Sequence, residues 1–313
     1  MKTRYAFLLV FVLMTIAGSS RASYSFTTVN YPGADLTMVT GISGSTVVGN
    51  FDNVSDGVFH GFIYNGSVYK TLNVPGAVST TTTGVSGGTV VGSYGDPGGT
   101  KHAFVYDGSA YTTLNVPGSI KTIAQGISGN TIVGFYSNTS QDGHGFINTG
   151  SSFTTVDFPG AVATSLLSIS GGTVAGTYYG SGSDAFPHPF TYDGSTFTTL
   201  NFPDFSALPD STITGISGDT VVGYYQPGAA IQFDGFVYDG SNLTTLNFPG
   251  AWTTELTGIS GNEVFGGGIT FGIIDEDLVA FGPGFIAQVP EPTSAALSGI
   301  VGVAFLARRR RPR

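Results

Sequence analysis

One block of sequence recurs six times, and no other property of the chain restricts its fold so strongly. A full copy spans residues 215–250: Gly-Ile-Ser-Gly, then Val-Val-Gly-Tyr-Tyr, a variable stretch, Gly-Phe-Val-Tyr-Asp-Gly, and finally Thr-Thr-Leu-Asn-Phe-Pro-Gly. The last element recurs at Thr27, Lys70, Thr112, Thr154, Thr198 and Thr244, in steps of 43, 42, 42, 44 and 46 residues. The Gly-Ile-Ser element starts at Gly41, Gly84, Gly126, Ser168, Gly215 and Gly258. Such a period marks a solenoid, a propeller or an array, whose units bury their apolar faces only against one another.

Within a copy, Gly-Asn, Gly-Gly, Gly-Asp and Asp-Gly pairs separate runs of β-branched and aromatic residues. Those pairs tolerate the positive φ of a tight hairpin, so each copy is predicted to form four short antiparallel strands. Four strands in about 42 residues is the size of a propeller blade. The two ends favour a closed ring. The last copy has Gly284-Phe285-Ile286 but no following Thr-Thr-Leu-Asn strand, whereas an orphan strand of that kind, residues 25–31, opens the body. Pairing them completes a sixth blade and removes the open edges of the array. The expectation is an all-β, six-bladed β-propeller over residues 23–288, with an open β-solenoid as the alternative.

The 313 residues include no cysteine, which excludes disulfides, thiolate catalysis and thiolate metal sites. Lys2 and Arg4 precede an apolar run over 6–18, and Ser20-Arg21-Ala22 places small residues where a signal peptidase reads them. Residues 1–22 are therefore expected to be a signal peptide cleaved after Ala22. At the other end, Val289-Pro290-Glu291-Pro292 precedes an apolar run over 293–307, then Arg308, Arg309, Arg310 and Arg311. Residues 289–313 resemble the PEP-CTERM sorting signal of Gram-negative envelope proteins in all three parts and their order. The resemblance implies export, cleavage near Pro290-Glu291-Pro292 by an exosortase-type enzyme, and delivery to the cell envelope, outer surface or extracellular matrix. It also implies transient passage through the inner membrane by a short transmembrane helix. Fifteen residues at 1.5 Å each reach roughly 22 Å, short of a hydrocarbon core of about 30 Å, which suits a signal better than an anchor.

Without both ends, three lysines (Lys70, Lys101, Lys121) face 19 acidic residues, a body charge of −16. So acidic a surface repels nucleic acid and anionic lipid and leaves cations, neutral glycans or basic matrix partners as company. The same charge also serves to keep an extracellular protein soluble.

Strand parity divides the repeat into two faces. The turns joining strands one to two and three to four share one face and are uniformly short; the two-to-three loops and the crossings between blades share the other. Almost all length variation falls on the second face, in loops 51–59, 94–101, 136–143, 178–186, 225–233 and 267–283 and in the crossing over 204–210. Binding residues commonly sit on variable loops over a rigid frame. The candidate binding face therefore carries Asp52, Asp56, Asp142, Asp204, Asp210, Asp275, Glu276 and Asp277.

His60, His102, His144 and His188 occupy one repeat position, where the fifth copy has Asp234. Third strands of neighbouring blades lie on the order of 15 Å apart, whereas zinc needs its ligands about 2 Å from one centre. The histidines are thus expected to tie loops within each blade. His102-Ala103-Phe104 resembles the HAF-type extracellular repeat, a family defined by repetition and export rather than by an activity. No cofactor is expected. Calcium is weighed at residues 52–57, which open like a calcium loop, yet Val54 stands where an oxygen ligand is needed and the distant glutamate is missing; Asp275-Glu276-Asp277 is a second candidate for a cation, with a solvated loop as the alternative.

Catalysis has a weaker basis. The inner strands carry Thr40, Thr83, Gln125, Leu167, Thr214 and Thr257 ahead of the Gly-Ile-Ser element, a ring expected at the channel mouth. Glu255 is the inner-strand carboxylate that breaks the repeat, without an equivalent second group to pair with. The chain is therefore read as a non-catalytic binding or structural module of the envelope or matrix, with a secreted polysaccharide hydrolase or lyase as the alternative.

Overall fold

The computed structural model describes residues 24–53, 57–138, 142–150, 152–181, 186–200, 202, 211–227, 232–274 and 277–289; for 271–274 and 277–279 the backbone alone is described. The expected sites Ala22, Asp56, Asp204, Asp210, Asp275, Glu276, Pro290, Glu291, Pro292, Arg308, Arg309, Arg310 and Arg311 lie outside the described residues. Among the described residues no helix is long and apolar enough to cross a membrane.

Strand β1 (Phe26–Val29) opens the body. Blade 1 follows as β2 (Leu36–Ser43), β3 (Thr46–Asp52), β4 (His60–Tyr64) and β5 (Tyr69–Leu72). Blade 2 is β6 (Ser79–Ser86), β7 (Thr89–Gly95), β8 (Lys101–Tyr106) and β9 (Tyr111–Leu114). Blade 3 is β10 (Lys121–Ser128), β11 (Thr131–Ser137), β12 (His144–Asn148) and β13 (Phe153–Val156). Blade 4 is β14 (Ala163–Ser170), β15 (Thr173–Tyr179), β16 (Pro187–Tyr192) and β17 (Phe197–Thr199). Blade 5 is β18 (Thr212–Ser217), β19 (Thr220–Tyr225), β20 (Asp234–Tyr238) and β21 (Leu243–Leu246). Blade 6 contains β22 (Thr253–Ser260), β23 (Glu263–Ile274), β24 (Asp277–Phe281) and β25 (Gly284–Gln288).

The chain is a six-bladed β-propeller. In blades 1 to 5 the strands pair in sequence order, whereas blade 6 runs β22, β23, β25, β1 from the axis outward. The opening strand seals the ring by antiparallel pairing, Phe26 with Ala287, Thr27 with Ile286, Thr28 with Phe285 and Val29 with Gly284. Innermost strands pack side by side around the axis, and β22 rests against β2.

The repeat motif dictates this packing. The glycine of Val-Val-Gly on each second strand lies opposite the phenylalanine of the third strand: Gly49 with Phe62, Gly92 with Phe104, Gly134 with Phe146, Gly176 with Phe190, Gly223 with Phe236 and Gly266 with Phe285. All six rings are fully buried, each contributing about 2–3 kcal/mol of apolar burial. Only glycine leaves room for them. A Cβ at Gly223 would stand 2.0 Å from the Thr212 carbonyl and 2.8 Å from the Phe236 ring.

At four blade contacts the residue before that phenylalanine is small and its size complements the side chain it meets. Gly61, Gly145 and Gly235 face Thr82, Leu166 and Leu256 of the next blade, and a Cβ there would come within 2.8, 2.9 and 2.8 Å of those side chains. Ala103, in contrast, packs in one cluster with the smaller Ala124.

The turns between third and fourth strands are Asx turns. Asp107 Oδ1 accepts the backbone N–H groups of Ala110 and Ser109, both at 2.8 Å, and these bonds hold its carboxyl down at about 2. Asp193 and Asp239 repeat the arrangement, and their carboxyls are lowered for the same reason.

One expected loop is mostly strand. Residues 267–283 extend β23 to Ile274 and return as β24, which pairs with it from Thr270↔Phe281 to Ile274↔Asp277. The β-branched and aromatic runs of β23 and β24 form a hairpin that outgrows the blade. Asp277 begins its second strand.

Candidate functional site

Every inner strand carries a β-bulge one residue before the Gly-Ile-Ser element, which leaves Thr40, Thr83, Gln125, Leu167, Thr214 and Thr257 out of the ladder. A bulge re-aims its side chain, here into the axial channel. These six residues do not form the channel mouth, as the sequence suggested. They form its waist, because they line two cavities that lie one on each side of them. Their threonines also join the blades: Thr83 Oγ1 donates to the Ala124 carbonyl at 2.9 Å, Thr214 Oγ1 to the Leu256 carbonyl at 2.7 Å, and Thr257 Oγ1 to the Val39 carbonyl.

The cavity on the short-turn face, about 240 Å³, is walled by the Gly-Ile-Ser elements. Its serines are engaged. Ser43, Ser86, Ser128 and Ser170 accept the backbone N–H groups of Gly87, Gly129, Gly171 and Gly218 in the turn of the next blade.

The cavity on the variable-loop face, about 340 Å³, is completed by Met38, Thr212, Ile213, Tyr224 and Glu255. That volume suits one small ligand. Glu255 and Tyr224 are both half-buried. Burial pushes the Glu255 carboxyl above the usual carboxylate range. Burial first, and the charge of Glu255 second, push the Tyr224 hydroxyl up to about 12. Tyr224 comes from blade 5 and Glu255 from blade 6, so the pair exists only because the blades meet.

The loop face also carries exposed apolar side chains. Val78, Ile120, Val162 and Trp252 follow Pro-Gly-Ala or Pro-Gly-Ser in four crossings, and each is more than half exposed. Blade 1 has Asp35 at that place. The repeated Pro-Gly-Ala/Ser marks these positions, although sequence reasoning did not single them out.

The acidic residues expected on this face do not converge where they are described. Asp52 ends β3, and its carbonyl accepts the Asp35 N–H at 3.1 Å. Asp142 accepts the Asn138 N–H at 3.0 Å and lies 3.7 Å from His144, so it braces its own loop. Asp277 belongs to the long hairpin.

The histidines hold the crossings. His60 bonds Asn73 at 3.0 Å, His102 bonds Asn115 at 2.9 Å, and His144 bonds Asp157 at 2.8 Å. In the fifth copy Asp234 accepts from Asn247 at 2.7 Å. Rings of the second strand flank them: the Tyr94, Tyr136 and Tyr178 centroids lie 5.1, 5.2 and 4.9 Å from those of His102, His144 and His188. Among the described residues no three His, Cys, Asp or Glu side chains gather as a metal site.

No protein-family model and no curated protein matches the chain. Solved structures do. The chain is similar to the six-bladed fucose-recognising lectin of the fungus Aleuria aurantia, with 15% identity, a TM-score of 0.50, and coverage of 82% of this chain and 97% of the lectin. It is also similar to a TolB-like protein from Agrobacterium tumefaciens, with 17% identity, a TM-score of 0.51, and coverage of 82% and 91%. Likeness at this identity concerns the fold.

Proposed function

We propose that this propeller is an exported envelope or matrix module that binds a glycan or matrix partner on its variable-loop face and performs no chemistry on it. The observation behind this reading is the makeup of the 340 Å³ cavity, where the described lining departs from the repeat and contains one carboxylate, Glu255, without a second carboxylate, a histidine or a basic residue. Glycoside hydrolysis commonly needs two carboxyl groups. A cavity lined by threonine hydroxyls and apolar side chains, on the same face as the exposed Trp252, suits a sugar, whose faces are apolar and whose edges are hydroxylated. The lectin likeness supplies the frame; its sugar is a property of that lectin.

Export rests on the two ends of the sequence. In this reading Ala22 precedes the signal-peptidase cut, Pro290-Glu291-Pro292 marks exosortase-type processing, and the HAF-like repeats form the mature body of a Gram-negative surface protein.

A glycan array probed with the mature protein tests the binding reading, and saturable binding of defined glycans is the expected result. A polysaccharide hydrolase or lyase is the second reading, favoured by the half-buried Glu255. Reducing ends released by the native protein and lost in Glu255→Gln would establish it and overturn the first. Mass spectrometry of the cell exterior tests sorting; peptides that retain Arg308 to Arg311 there would refute it.

A further inference from the structure

We propose that the cavity on the variable-loop face is a site for a primary ammonium group carried on a small sugar or alkyl frame, with Glu255 as its counter-ion. This deepens the binding reading above and rests on it.

The argument is a count of hydrogens. A threonine hydroxyl has one hydrogen and two lone pairs. Thr83, Thr214 and Thr257 direct that hydrogen to carbonyls of the following blade. Thr40 is committed in the same way: Thr82 donates to the Gly49 carbonyl at 2.8 Å, so in the 3.1 Å contact between the two hydroxyls Thr40 is the donor. Four hydroxyls of the waist thus have only lone pairs left to offer a ligand. Glu255 adds carboxylate oxygens, for which the described residues provide no hydrogen-bond or ion-pair partner. Among the described residues, the free side-chain hydrogens of the wall belong to Gln125, Thr212 and Tyr224, and no Lys, Arg or His lines the cavity.

A wall rich in acceptors and poor in donors selects a ligand of the opposite kind. An ammonium group has three donors and no acceptor. It also supplies the positive charge that a half-buried carboxylate lacks, and charge-assisted bonds are the stronger ones. Met38, Leu167 and Ile213 provide apolar wall for the carbon frame. Anions are disfavoured twice, by Glu255 and by the body charge of −16.

Isothermal titration of the mature protein at neutral pH with D-glucosamine, N-acetyl-D-glucosamine and cadaverine tests this. Saturable binding of at least one free amine is expected, with N-acetyl-D-glucosamine at least ~10-fold weaker than D-glucosamine. Comparing D-glucosamine with cadaverine shows whether a sugar or an alkyl frame is preferred. Glu255→Gln should weaken the bound amine at least ~10-fold with an unchanged fold by circular dichroism, whereas Asp107→Asn, which removes one charge from an exposed turn, should leave binding intact. The inference fails if neither amine binds, if N-acetylation makes no difference, if Glu255→Gln binds like the native protein, or if Asp107→Asn weakens binding equally. Glycan-array binding that survives in Glu255→Gln while the amines do not bind would remove this inference and leave the proposed function standing.

Discussion

The two ends of the axial channel share a waist and differ in almost everything else. On the short-turn face, six near-copies of Gly-Ile-Ser surround a cavity of about 240 Å³, and four of their serines are bonded to the next blade. On the loop face, Met38, Thr212, Tyr224 and Glu255 surround about 340 Å³ with four different chemistries. In a ring, a residue that repeats touches its neighbour's copy and is held to that duty. A residue that departs from the repeat is released from it. The narrow end is therefore joinery, and the wide end is where a ligand can be distinguished.

The comparison breaks first if the frame is not shared. Phe236→Ala and Phe104→Ala, in different blades but in the same fully buried position, should each lose about 3–5 kcal/mol in chemical denaturation. A much smaller loss in either would show that the blades are not equivalent. Next comes the waist. Thr257→Val removes the hydroxyl bond to the Val39 carbonyl and should cost about 1–3 kcal/mol. At the narrow end, Ser86→Ala strands the Gly129 N–H and should lower stability by roughly 1 kcal/mol without altering ligand binding at the wide end.

The smallest effect has the opposite sign. Burial raises the Glu255 carboxyl, so folding favours its protonated form. That contribution is complete below the ordinary glutamate value of about 4.3 and is lost as pH rises through the raised value. Glu255→Gln lacks this dependence. Its melting temperature should exceed that of the native protein at neutral pH, and the gap should close on acidification. A wide end that behaved like the narrow one would show a loss instead.

The sequence revealed most of the frame and little of the site. Hairpin pairs, Val-Val-Gly and Gly-Phe are local signals that recur six times, and the orphan strand at 26–29 predicted its own partner. Glu255 was visible as a break in the pattern. Tyr224 was not, because its position differs in every copy, as Asn50, Ser93, Phe135, Thr177 and Gly267, and its meeting with Glu255 is a contact between blades. The bulges escaped notice because their trace is small. Each inserts one residue and reverses the alternation, so that Val39 and Ile42 pack in one cluster, but the glycine between them blurs that change of phase, and so the waist was taken for a mouth. The hairpin after β23 was hidden by its length, since an enlarged loop and an extra pair of strands look alike until their registers are known.

The strand that seals blade 6 gives this toroid a latch. Four residue pairs join segments from opposite ends of the described chain, and no connecting loop holds them together. Detaching β1 would bare the edge of β25 and withdraw Val29 from the core it shares with blade 1. A newly made chain stays an arc until residues 284–287 arrive, which makes the amino-terminal strand the last to find its place although it is the first to be synthesised.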